Sequence, residues 1–406
     1  MINVLAALAA LSSGLARAES PMLQLVETWP VETTLDQPDI ADAHEVWLEM
    51  IGGAKKSVDV AQFYISPNPD AADRADLVLE AIYGAAARGV KVRILADAKF
   101  QKTYPDDLKR LGEAENIEVR LYDMKPLTGG VMHAKYFLVD GEQGYLGSQN
   151  LDWRSLEHIH ELGVRFAGFE AVSGLRAVFE QDWALAVQSK VPRPSARGPE
   201  VMKWRDSEAQ VRFVASPKDL VAEEAWDLPH LLQAIAGAKS SIRVQLLSYA
   251  VVGYDKSEWH DLDDALRAAG ARGVTVQLLV SNWQKSPSKQ QVVKDLTAAE
   301  GVEVRFVNIP DHSSGWQDFS RTIHSKYLVV DGRWSWVGTS NWSKDYFYGS
   351  RNVGLIVESP EFAARLDKLH GDIWNGEYAE VVDPKQTYTA PYQDHKAQVE
   401  AAQKAQ

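Results

Sequence analysis

The sequence contains no cysteine. That excludes disulfides, thiolate zinc sites, iron–sulfur clusters and a thiol nucleophile, and it leaves the redox compartment open. It also has no run of about 20 consecutive apolar residues, the length a helix needs to span a bilayer. Positive charge is in deficit: 43 Lys and Arg stand against 56 Asp and Glu, for a net charge of −13. Such a surface repels polyanions at long range, so overall charge cannot drive nonspecific nucleic-acid binding, although a local basic pocket is still allowed. What remains is globular: 406 residues, 45% hydrophobic and 24% charged, with 27 Gly and 17 Pro. This composition excludes a disordered or collagen-like chain, and the length corresponds to about two to three domains.

The first residues read as an address. A short apolar run, Val4 to Leu11, is followed by Ala16-Arg17-Ala18, a small-x-small cleavage pattern. No Lys or Arg precedes the run, so the amino terminus must supply the positive charge; the alternative is an ordinary buried helix. The expectation is a cleaved signal peptide over 1–18, a secreted or periplasmic product and no transmembrane anchor after processing.

The rest of the chain is written twice. GGAKKSVDVAQFYIS (52–66) returns as AGAKSSIRVQLLSYA (236–250), AARGVKVRIL (86–95) as GARGVTVQLL (270–279), and IEVRLY (117–122) as VEVRFV (302–307). Gly53 and Gly237 are 184 apart, Val119 and Val304 are 185 apart, and His133 and His324 are 191 apart. The second copy therefore carries six extra residues before its histidine, within 309–322. Strand and helix patterns alternate in each copy: Ser57–Ser66 as strand, Leu77–Arg88 as helix ended by Gly89, Lys91–Asp97 as strand. This predicts an α/β fold with a largely buried sheet between helices. The division is a first repeat over 19–190, a linker over 191–205 rich in Pro and Arg, a second repeat over 206–385, and a polar tail over 386–406, which from about Lys396 is a frayed helix or disordered.

One frame recurs in register with the repeat: His-x-Lys, four residues, Asp, six residues, Gly-[Ser/Thr]-x-Asn. It comprises His133, Lys135, Asp140, Ser148 and Asn150 in the first copy, and His324, Lys326, Asp331, Thr339 and Asn341 in the second. In an extended chain, residues two apart share a face, so each histidine projects beside its lysine. Such a set suits an anion with several oxygens, best of all a phosphate. One set is half of a machine. A phosphodiester displacement needs a nucleophile on one side and an acid on the leaving oxygen, which two histidines facing across a pseudo-twofold axis supply.

These paired motifs, HxKx₄D followed by GSxN or GTSN, resemble the phospholipase D superfamily. NLDWRSLEHIHELGV (150–164), GTSNWSKDYFYGS (338–350) and WLEMIGGAKKSVDVAQFY (47–64) are similar to the branch holding the endolysosomal phospholipase D-like 5′ exonucleases and the poxvirus envelope phospholipases. The resemblance implies two tandem α/β/α repeats with mixed sheets and one active site at their interface. It implies a metal-independent phosphodiesterase acting through a phosphohistidine, without a cofactor. His133 is then the nucleophile and His324 the acid/base, while the two lysines with Asn150 and Asn341 hold phosphate oxygens. Glu161, 28 residues after His133, would orient that histidine; the matching position in the second copy is Asn352, which leaves the partner of His324 open. Asp140, Asp331, Ser148 and Thr339 would support the motif, the aspartates through backbone bonds or as turn residues before glycine.

The substrate is a phosphodiester. A phospholipid comes first, by headgroup hydrolysis or transfer and with transient membrane-surface contact; single-stranded nucleic acid cleaved from its 5′ end is the alternative. A catalytically silent binding or envelope protein on the same scaffold is a third reading. Lys55, Lys56, Arg154, Arg321 and Lys344 are candidates for a basic groove. His158, His160 and Glu161 have the composition of a metal site but no counterpart in the second copy, which argues against a metal. The remaining histidines (His44, His230, His260, His312, His370, His395) are expected at the surface, with His312 set apart because it lies in the insertion. Aromatics crowd the second motif: Trp316, Phe319, Trp334, Trp336, Trp342, Tyr346, Phe347 and Tyr348. They are divided between core packing and contact with bases or lipid.

Overall fold

A computed structural model describes residues 21–405 apart from 71, 190, 196 and 197. The expected signal segment, 1–18, lies outside the described residues. Among these, no helix is long and apolar enough to cross a membrane.

The first half supplies strands β1 (Met22–Thr28), β2 (Ser57–Gln62), β3 (Lys91–Asp97), β4 (Ile117–Tyr122), β5 (Tyr136–Val139), β6 (Gln143–Gly147) and β7 (Ile159–Ala167). Next comes β8 (Glu200–Trp204). The second half supplies β9 (Ser207–Ser216), β10 (Ser241–Leu246), β11 (Thr275–Ser281), β12 (Val302–Val307), β13 (Tyr327–Val330), β14 (Trp334–Gly338) and β15 (Asn352–Glu358). Pairing runs β4-β3-β2-β5-β6-β7-β1 in the first half. It runs β12-β11-β10-β13-β14-β15-β9 in the second. Each half has parallel β-α-β strands on one side and antiparallel strands on the other, the mixed sheet that the repeat implies. β8 pairs with β1 and β9 and joins the two sheets edge to edge. Residues 200–204, expected as linker, are therefore a strand; Met202 and Trp204 alternate inward and pay for their ordering by burial.

Local chemistry explains the elements. Helix α1 (Arg74–Ala87) begins where the Asp73 carboxylate accepts the Ala75 and Asp76 amides and Asp76 accepts the Asp73 amide, a reciprocal cap. It ends at Gly89, whose φ of +86° suits glycine. Helix α2 (Phe169–Leu185) packs under the first sheet and α3 (Pro360–Trp374) under the second. His370, expected at the surface, is fully buried on α3 against Tyr327 because it shares that helix's apolar face with Leu366, Leu369 and Ile373. In the tail Tyr388 and Ala390 are buried, and helix α4 (Pro391–Ala405) follows them.

The halves meet through a continuous apolar core and a fully buried ion pair. Arg351, just before β15, donates to both Asp182 carboxylate oxygens at 2.8 Å, to Gln181 Oε1 and to the Ser216 carbonyl. Arg351 and Asp182 are both fully buried. Removing one partner strands the other charge, so Arg351→Ala should cost about 3–5 kcal/mol in urea unfolding. Arg205→Ala, which breaks a half-exposed pair with Asp39, should cost no more than about 1 kcal/mol. Equal losses would show that Arg351 does not pin the two halves.

Candidate active site

His133 and Lys135 lie in the extended stretch entering β5, and His324 and Lys326 in the one entering β13, rather than inside the ladders. Each stretch hangs from the opposite half. Met132 bridges to Arg351, and the His133 amide donates to the Arg351 carbonyl at 3.0 Å. Thr322 and Ile323 pair with Ile159 and His160 of β7, and the His324 amide donates to the His160 carbonyl at 2.8 Å.

This crossing overturns the expected partner of Glu161. Both Glu161 carboxylate oxygens take the His324 Nδ1, at 2.8 and 2.9 Å. His133 Nδ1 instead meets Asn352 Oδ1 at 3.0 Å. The reason is register: the residue after His160 faces the residue after Ile323, and the residue after Arg351 faces the residue after Met132. Each histidine is oriented from the other repeat, and in each an acceptor on Nδ1 leaves Nε2 as the nitrogen facing the site. Ser155 Oγ donates to Glu161, and Thr339 Oγ1 donates to Asn352. Ser148 Oγ bonds the Leu162 amide and carbonyl, clamping the strand that carries Glu161. The motif glycines permit these close approaches: a Cβ on Gly147 would stand 2.8 Å from the Gly163 Cα, and one on Gly338 would stand 3.0 Å from the Val353 carbonyl oxygen.

Lys135 and Lys326 are buried, and each Nζ donates to the carbonyl of the histidine two residues before it. Among the described residues, neither has a carboxylate within ion-pair distance. Burial therefore drives Lys326 down to about 7 despite Glu161, and burial with Lys326 nearby drives Lys135 well below the usual ammonium range. Burial also lowers both imidazoles. In His324 the Glu161 carboxylate opposes this and holds it at about 4, whereas in His133 the neighbouring Lys135 and Lys326 add to the lowering and only the Asn352 amide opposes it. A carboxylate on Nδ1 favours the charged imidazole more than an amide does. Burial would raise Glu161, but His324 and Lys326 outweigh it and keep the carboxyl low. Two buried lysines with no direct carboxylate partner among the described residues suit an anion.

Asn150 Nδ2 donates to Tyr64 Oη at 3.3 Å and Asn341 Nδ2 to Tyr346 Oη at 3.2 Å; Asn150 Oδ1 is buried without a partner. Asp140 and Asp331 stand at the far end of their strands. Asp140 accepts the amides of Lys55, Lys56 and Ser57, and Asp331 those of Lys239, Ser240 and Ser241. Each also opens a tight turn with positive φ at the aspartate and the following glycine.

The expected basic groove is not assembled. Lys55 and Lys56 lie at the Asp140 end, away from the histidines, and Lys56 pairs with Glu142. Arg154 pairs with buried Asp152, Lys344 pairs with Asp255, and Arg321 donates to the carbonyls of Pro310 and Val31. The three residues of the possible metal set diverge. His160 packs by Gln245 and Ser325, Glu161 faces His324, and His158 meets the ring of His312, which sits 3.3 Å from Glu32. Of the aromatics, Trp336, Trp342 and Phe347 are core, whereas Tyr346 stands 4.9 Å from the His133 ring. Sequence reasoning missed the first-half rings. Phe63 packs edge-on to His133 at 5.0 Å and to Phe100 at 4.5 Å, and Tyr64 stacks on Tyr104 at 5.4 Å. Asn352 was also missed as a working residue, although its 191-residue offset from Glu161 marked it.

An anion probe tests this electrostatics. Sulfate does not titrate near neutrality, whereas Lys326 loses its proton as pH rises through about 7. Sulfate affinity, read by calorimetry, should fall about tenfold per pH unit above 7. Lys326→Met should bind weakly throughout this range; a wild-type affinity flat from pH 6 to 9 would contradict the site.

Comparison with known proteins gives the family. A family model described as PLD3/4, PLD-like domain matches residues 39–312. Phospholipase D Z of Dictyostelium discoideum is 30% identical over 383 residues, covering 88% of this chain and 90% of that protein. The 5′-3′ exonuclease PLD3 of Bos taurus is 31% identical over 397 residues, covering 88% and 80%. In structure, phosphatidylserine synthase of Haemophilus influenzae superimposes with a TM-score of 0.60 at 14% identity, over 89% of this chain and 92% of that one; it supports the fold alone. With its doubled motif and its matched relatives, the chain belongs to the phospholipase D superfamily, in the branch of PLD3 and PLD4.

Proposed function

We propose that the chain is a phosphodiesterase that works in two displacements at this site. The observation that carries the reading is the crossed pairing: a carboxylate behind His324, an amide behind His133, and two buried lysines without counter-charges between them. In the first step, the His133 Nε2 lone pair attacks phosphorus, a P–N bond forms and the P–O bond to the leaving alcohol breaks. His324 Nε2 gives that oxygen its proton, and Glu161 stabilises the imidazolium beforehand. In the second step His324 takes a proton from water, or from an acceptor alcohol, whose oxygen bonds phosphorus as the P–N bond breaks and its electron pair returns to His133. Lys135, Lys326, Asn150 and Asn341 hold the non-bridging oxygens. Side chains fill every role, so turnover should survive a chelator.

For the substrate, single-stranded nucleic acid is favoured by the half-buried rings of Phe63, Phe100 and Tyr104 beside His133, a surface suited to stacking a base. Relatives named 5′-3′ exonuclease agree. A phospholipid is the second reading, supported by the relative named phospholipase D. Labelled phospholipid micelles against a 5′-hydroxyl single-stranded oligonucleotide, both with chelator, separate the two. No turnover of either would return the chain to a silent scaffold.

The roles of the histidines are separable by leaving group. His324→Ala and Glu161→Gln should slow cleavage of an alkyl phosphodiester by about 10²–10⁴-fold. Both should recover most of that rate in the first release of p-nitrophenol from a p-nitrophenyl ester, whose leaving oxygen needs no proton, while breakdown of the phosphohistidine, which also uses His324, should stay slow. His133→Ala should stay inactive on both and form no phosphorylated protein. Recovery by His133→Ala instead would exchange the two assignments.

A further inference from the structure

The six extra residues of the second half do not enter the chemistry just described, yet they build a wall. A cavity of about 810 Å³ lies where β11 and β12 end, lined by Asn282, Trp283, Lys289, Phe319, Arg321 and Tyr392 among others. The carboxyl ends of parallel strands are where α/β folds bind ligands, and the volume is that of a small-molecule site. It opens at the same ends of the strands as the candidate active site. Thr322 Oγ1 lies 2.6 Å from Ser281 Oγ at its edge, and Arg321 precedes His324 by three residues, about 10 Å of extended chain.

The matching place in the first half is different. There a cavity of about 400 Å³ is lined by Asp97, Lys99, Lys125 and Tyr254, and the nearby rings of Phe63, Phe100 and Tyr104 are packed on one another. On the second-half side Trp316 stacks on His395 at 4.5 Å, but two other rings stand open. Phe319 is 68% exposed and meets Trp283 edge to face at 6.0 Å; Tyr392, on α4, is 48% exposed. Large apolar surface left bare beside a reaction centre calls for something to cover it. The Lys289 ammonium has no carboxylate within ion-pair distance among the described residues, which leaves it for a phosphate.

We propose that this cavity takes the nucleoside on the leaving side of the scissile phosphate, with its base against Trp283 and Phe319 and its next phosphate toward Lys289. The proposal rests on the reading above, in which His324 protonates the leaving oxygen. The leaving group must therefore lie on the side of His324, where the open volume is. If the substrate were a phospholipid, that side would receive only a small headgroup alcohol, for which the space is far too large. For a polynucleotide it receives a ribose, a flat base and another phosphate.

The test uses a 5′-hydroxyl oligothymidylate and the same strand with an abasic unit at the second position. Trp283→Ala and Phe319→Ala should each raise KM for the intact strand about 5- to 100-fold with kcat little changed. Trp283→Phe should restore most of the affinity. The wild type should lose a similar factor on the abasic strand, and the alanine variants should lose little more on it. Unchanged KM in both alanine variants, or equal losses on both strands, would overturn the proposal while leaving the phosphodiesterase reading intact. Slowed phosphatidylcholine cleavage with oligonucleotide cleavage unaffected would make the cavity a choline cage and overturn it too. A wild type that cleaves no oligonucleotide would bring down the nucleic-acid reading, and the proposal with it.

Discussion

The structure depends on a reciprocal backbone pairing across the pseudo-twofold axis. The strand end at Ile159–His160 bonds the segment before His324, and the Arg351 segment bonds the one before His133. Neither half can present its histidine without the other, because the amide of each histidine donates to a carbonyl of the opposite repeat. Fixing that backbone fixes the side chains one residue on, and these are the groups that hold the Nδ1 atoms. Active-site geometry and association of the halves are therefore one constraint. This is why a fully buried ion pair, Arg351–Asp182, stands immediately beside Asn352. Its charges do not favour stability over an apolar pair of the same shape; they favour a single alignment.

The crossing has an electrostatic consequence. Two ammonium groups held in an interior without a direct carboxylate partner among the described residues are costly, and the protein meets the cost through depressed proton affinity. In the proposed reaction a phosphodiester would bring the missing charge and restore both. Stability is withheld from the free protein and returned on binding, the usual arrangement for a site organised around a charge that the chain itself lacks. The net charge of −13 then bears less on binding than its size implies. The attraction is local, in a dry pocket, whereas the overall repulsion is screened within about 10 Å at ordinary salt.

Much of this was legible in the residues. The duplicated frame named the histidines, lysines and asparagines, and the alternation of patterns gave the mixed α/β layers, because both rest on local periodicity. What the chain did not reveal depends on which half faces which. Glu161 sits at a fixed distance from His133 in sequence, and spacing within one repeat cannot show that a neighbouring repeat intercepts it. The strand at 200–204 is short and flanked by Pro and Gly, so its composition reads as a connector; only two sheet edges waiting to be joined make it a strand. His370 failed differently. One polar residue on a helix face looks like surface until the helix is rotated by its apolar neighbours Leu366, Leu369 and Ile373.

Symmetry itself supplies the last step. A duplicated scaffold starts with two equal imidazoles, two equal walls and no preference for direction. A phosphodiester has a retained side and a leaving side, so equal halves cannot serve it equally well. The halves differ at two places that matter. Behind the imidazoles, a carboxylate faces one and an amide the other, which separates their proton affinities. Along the walls, packed rings line one flank while an insertion opens a cavity on the other. The carboxylate and the cavity fall on the same side, that of His324. In the proposed reaction a proton donor and room for a departing group are needed together, and their coincidence in one half would give the site its direction.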